Sequence, residues 1–116
     1  MKIIEHKKHN MTIAEVVADG VIIATADDGS QLLADLYYQG YDIVAIRAEQ
    51  LHPDFFELKT GMAGEIMQKC SNWRIRLVII GDFSNVTSKS LHDLIYESNK
   101  GKLVNFLATI DNVLKT

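Results

Sequence analysis

The segment Lys59-Thr60-Gly61-Met62-Ala63-Gly64 holds the residue types best suited to gripping an anion. An amphipathic pattern begins there, with Met62, Ala63, Ile66, Met67 and Cys70 at roughly helical spacing. The first turn of a helix presents unpaired backbone N–H groups and partial positive charge, and both attract anions. Lys59 adds a full charge and Thr60 a hydroxyl, while Gly61 and Gly64 let a ligand or a facing backbone come close. Capping by Thr60, tight helix packing at the glycines and a solvated Lys59 would explain the same residues without a ligand. A P-loop is excluded, because it needs Gly-x-x-x-x-Gly-Lys-Ser/Thr after a strand.

Other reactive groups form no catalytic set. Cys70 falls on the apolar side of its helix and reads as a small buried hydrophobe with a raised thiol pKa. Asp82 follows the apolar run Leu77 to Ile80, where it would either contact a ligand or hold its own turn. Gly81-Asp82-Phe83-Ser84 lacks the Gly-x-Ser-x-Gly elbow of a serine hydrolase. His6, His9, His52 and His92 make no metal-ligand spacing, and two of them sit beside Lys7 and Lys8. No metal and no cofactor are expected. The adjacent rings of Phe55 and Phe56 suggest a partner contact, or else a closure over the open end of the core.

These residues must be positioned by alternating strands and helices. Runs at 2–6 and 11–17 form a hairpin across Lys7 to Asn10, followed by a short third strand over Val21 to Ala24. Asp27 or Asp28 caps a helix that carries Leu32, Leu33 and Leu36 and stops at Gly40. Ile43 to Ile46 is a buried strand, and Pro53 opens a short helix in the connection that follows. Beyond the helix at Thr60, Leu77 to Ile80 is the next strand. Thr87 or Ser88 then caps a helix through Leu91, Leu94 and Ile95, and Asn99 or Gly101 ends it in a left-handed conformation. Leu103 to Leu107 and Thr109 to Leu114 supply a last strand and helix. The order predicts one α/β domain over residues 1–116, with a mainly parallel sheet, an antiparallel N-terminal hairpin and helices packed on the sheet. In such sheets ligands gather beyond the carboxyl ends of the strands, which here lead into 47–60 and 81–88.

Bulk properties narrow the function. The chain has 116 residues, 47% apolar and 23% charged, which fits one globular core. Its net charge of −3 argues against general binding to nucleic acid or to an anionic membrane. No apolar run exceeds four residues, and a single cysteine fits a reducing compartment, so a cytoplasmic setting is expected. Charge is uneven along the chain. Residues 1–58 hold four Lys/Arg against ten Asp/Glu, and residues 59–116 hold eight against five. That asymmetry suits an oriented partner or self-association if the halves form different faces.

Phe55 to Ile66, Gln68-Lys69, Gly81-Asp82-Phe83 and Glu97 to Gly101 together resemble a family of short bacterial proteins known only as a domain of unknown function. The element order is also similar to the domain shared by anti-sigma-factor antagonists and the cytosolic tails of sulphate transporters. That resemblance implies a phosphorylated Ser or Thr at the start of the helix after the third major strand. Thr60-Gly61 keep the pattern there, with Lys59 in place of the first hydroxyl. The expected function is a regulatory or protein-interaction module without catalytic activity. It would act through a protein partner or a second copy at Phe55 and Phe56. The alternative is a binder of, or enzyme on, a small anionic ligand held by Lys59, Thr60, Gly61, Gly64 and Asp82.

Overall fold

The structure, a computed structural model, describes residues 1–115. A hairpin of β1 (Lys2–Lys8) and β2 (Met11–Val17) leads into α1 (Ala26–Tyr38) and β3 (Ile43–Arg47). Three 3-10 turns (Ala48–Gln50, Pro53–Phe56, Leu58–Thr60) then bring the chain to α2 (Met62–Trp73) and β4 (Arg76–Ile80). The rest is α3 (Lys89–Asn99), β5 (Val104–Leu107) and the single-turn α4 (Asp111–Leu114). The five strands lie side by side in chain order. β1 and β2 are antiparallel, and every later pair is parallel, with Ala14, Val44, Leu77 and Val104 in register across the sheet.

Strands laid down in one direction by right-handed crossovers must send all their helices to the same face. The core shows it. Ala14, Val16, Val44, Ile46, Leu77, Ile79, Val104 and Phe106 point to one side, where Leu33 and Leu36 of α1 and Ile66 and Cys70 of α2 meet them. The alternate residues Ile13, Ile43, Ala45, Val78 and Ile80 point to the other side, where buried Val113 of α4 packs against them. One short turn of helix therefore replaces a whole helical layer on that face.

Several expected boundaries shift for identifiable reasons. Val21 to Ala24 is not a strand, and Ile23 makes only a single parallel bridge to Leu51. Both Ile22 and Ile23 donate to the Gln50 carbonyl, at 2.9 and 3.0 Å, so no ladder can extend. The fully buried Gln50 side chain holds this crossing by donating to Val16 and Ala18 carbonyls and accepting from the Arg47 N–H. Helix α1 is N-capped by Thr25 rather than by Asp27 or Asp28. Thr25 accepts from the Asp28 N–H, and the Asp28 carboxylate accepts from the Thr25 N–H, a reciprocal capping box. Gly40 does take the left-handed position after α1, with φ +95°. Helix α3 is capped by Ser88 as one of the two expected residues, but ends at Lys100 in ordinary helical geometry. Neither Asn99 nor Gly101 turns left-handed. Instead the Asn99 carboxamide bonds both the N–H and the C=O of Phe106, at 2.8 and 3.0 Å, and so occupies the outer edge of β5.

Candidate functional site

The 53–64 segment folds around its own backbone. Pro53 opens the 3-10 turn Pro53–Phe56, as its fixed φ favours. The Thr60 hydroxyl lies 2.7 Å from the Asp54 carbonyl and 2.9 Å from that of Glu57, and it accepts from the Met62 N–H at 3.3 Å. Its bonding capacity goes into closing this loop. Gly61 is the residue that caps α2, at φ +81°, a conformation that disfavours any side chain. Lys59, Thr60, Gly61 and Gly64 are all exposed, and a Cβ on Gly64 would meet open space, so tight helix packing is not its role.

Asp82 lies at the carboxyl end of β4, accepting from the Ser84 N–H at 3.0 Å and the Ser84 hydroxyl at 2.6 Å. Those two bonds hold its carboxyl below the usual carboxylate range. Among the described residues no hydrogen bond or ion pair joins Asp82 to the 59–64 segment. Phe55 is fully buried and packs on Phe56 and Phe106, with ring centroids 5.1 and 6.5 Å away. The half-buried Phe56 packs on Phe83 at 6.4 Å. Phe55 therefore belongs to the core, and a partner reaching this surface would meet Phe56.

The largest of the described clefts lies at the opposite end of the sheet. Parallel strands β2 to β5 begin there, so their first residues and the turns before them converge. The β1–β2 turn brings Lys8 and His9, the end of α2 brings Arg74, β4 starts at Arg76, and Lys102 precedes β5. The cleft measures about 720 Å³. Among the described residues Asp42 is the one carboxylate on its wall, and it already accepts the Thr12 N–H at 2.9 Å.

Local structure aims these cations. Among the described residues, His9 and Arg74 are the non-glycine residues with positive φ, each at +54°, and both line the cleft. Left-handed backbone is unfavourable for such side chains and tends to persist where surrounding structure requires it. Arg76 donates from Nε to the Asn105 carboxamide oxygen at 2.8 Å. Asn105 is itself buried and donates to the Gly101 carbonyl at 2.8 Å and that of Ser98 at 3.4 Å. The Lys8 ammonium donates to the Val113 carbonyl of α4 at 2.6 Å. Its pKa is lowered by desolvation first, then by the neighbouring charges of Arg76 and Lys102. Desolvation lowers that of Arg76 as well.

None of these cleft residues was singled out from the sequence as a ligand contact. The available signals were the Lys7-Lys8-His9 turn, Arg74-Ile75-Arg76 ahead of an apolar strand, and the positive second half of the chain. The rule that ligands sit at strand carboxyl ends pointed away from them.

The family model described as "Domain of unknown function (DUF4180)" matches residues 8–116. The chain belongs to the DUF4180 family. The match spans every cleft residue from Lys8 to Leu103 and also the 59–64 segment. Neither a curated protein nor a solved structure matches this DUF4180 chain. Among its described residues, no three His, Cys, Asp or Glu side chains are grouped to hold a metal. No described helix is long and apolar enough to cross a membrane.

Cys70 is fully buried in α2, and burial pushes its thiol up to about 12 from an ordinary 9.0. The folded chain then holds this proton more tightly than the unfolded chain does. Stability from Cys70 is complete below pH 9 and falls as pH climbs toward 12. Urea titrations between pH 9 and 10.5 should show the wild type losing up to ~1.4 kcal/mol per pH unit more than Cys70→Ala. Parallel pH curves for the two proteins would contradict the buried-thiol assignment.

Proposed function

We propose that this DUF4180 domain is a regulatory binding module whose ligand is a small anion held in the cleft at the strand amino ends. One observation carries the reading: Arg74, Arg76 and Lys102 converge on one cleft where the one carboxylate among the described residues, Asp42, is already bonded. The Thr60 segment supports an anion less well. It is exposed, its hydroxyl bonds two carbonyls, and the described clefts do not include it. Phosphorylation at Thr60 would require those two hydrogen bonds to be given up. A cytoplasmic setting accords with one buried, unpaired cysteine.

Sulfate, compared with chloride at matched ionic strength, should raise the melting temperature. At ten times the Kd, binding adds about 1.4 kcal/mol, or roughly 4–6 °C for a chain of this size. Lys102→Glu should remove most of that shift and Lys59→Glu should leave it intact. The reverse order would return the site to the Thr60 helix.

A protein-interaction role is a second reading, favoured by the hairpin. Ile4, Met11 and Val17 share the face that α1 to α3 do not cover, and they are 37%, 51% and 41% exposed. Sedimentation of wild type and Val17→Lys tests self-association there. A concentration-dependent dimer lost in the variant is the expected result, and a monomer in both would remove the second-copy form of this reading.

A further inference from the structure

We infer that the ligand of this cleft is a phosphorylated organic molecule, its phosphate in the fork of Arg76 and its body along Met11 and Leu103. The inference rests on the anion-binding reading above and narrows it to a chemical class.

Charge selects the head group. Among the described residues, Arg74, Arg76 and Lys102 line a wall whose one carboxylate is Asp42, which leaves an excess of positive charge without counting Lys8. A monoanionic carboxylate would neutralise only part of it. A phosphate monoester brings nearly two negative charges at neutral pH, and three acceptor oxygens over which several donors can close.

Geometry selects the contact. Arg76 is braced through Nε by the buried Asn105, whose own amide is fixed on two backbone carbonyls. That leaves the terminal guanidinium nitrogens as a preoriented pair of donors, the arrangement that grips an oxyanion with two parallel bonds. A braced arginine gives up little side-chain freedom on binding, so more of its interaction appears as affinity.

Size and wall chemistry select the rest. A cleft of about 720 Å³ lies in the range that holds a drug-sized molecule and far exceeds an isolated phosphate. Met11 and Leu103 line it while remaining 51% and 37% exposed, which offers apolar surface for a ring or chain to cover.

Calorimetric titration of the full chain with AMP, inorganic phosphate, adenosine and glutarate tests the class. AMP should bind tightest, phosphate and glutarate more weakly, and adenosine undetectably. Arg76→Lys keeps the charge and loses the fork, and should weaken AMP about tenfold while circular dichroism stays unchanged. Glutarate binding as tightly as AMP, or an unchanged Arg76→Lys, would overturn the phosphate assignment and leave the anion reading standing. Phosphate binding as tightly as AMP would overturn the organic body. No binding by any of the three anions would remove the anion reading as well.

Discussion

A sheet assembled in chain order with right-handed crossovers can be covered by its helices on one face only, and this constraint shapes the whole molecule. α1, α2 and α3 bury Val44, Ile46, Leu77 and Ile79 on their side, with Phe55 and Phe106 closing one end. The opposite face must find another cover for Ile43, Ala45, Val78 and Ile80, and the C-terminal turn around Val113 is what the chain supplies. The Lys8 ammonium ties that turn down through the Val113 carbonyl. One residue thus belongs both to the cover of the open face and to the wall of the basic cleft.

The same constraint explains where the cleft sits. Crossovers leave each strand at its carboxyl end and return to the amino end of the next, so both ends collect loops. At the carboxyl end the connections are long and turn inward, with Gln50, Phe55 and Phe56 filling the space. At the amino end they are short. A two-residue hairpin turn, a left-handed Arg74 and the stretch before β5 leave room between them and line it with charge.

Much of the fold was legible in the residues. Apolar runs at Ile43 to Ile46 and Leu77 to Ile80 could only be buried strands, and the hairpin, Pro53, Gly40 and Ser88 marked their elements through local chemistry. What stayed hidden depended on long-range partners. Whether Val21 to Ala24 forms a ladder depends on Gln50, nearly thirty residues later, which claims two N–H groups with one carbonyl. Asn99 looks like a helix terminator because nothing local shows that Phe106 will need its carboxamide. The cleft is the extreme case. Lys8, Arg74, Arg76 and Lys102 are unremarkable surface cations in sequence, and only the parallel register gathers them.

The uneven charge of the two halves takes a specific form once the chain is folded. The cleft draws Lys8 from the acidic first half and Arg74, Arg76 and Lys102 from the basic second half. Four of the twelve Lys/Arg thus line one cleft in a chain of net −3. The most direct measurement is a phosphate titration of uniformly 15N-labelled protein followed by amide chemical shifts. The account predicts saturable shifts around Lys8, His9, Arg74 to Leu77 and Lys102, with residues 59–64 unmoved. Saturable shifts confined to residues 59–64, or no saturable shift anywhere, would contradict it.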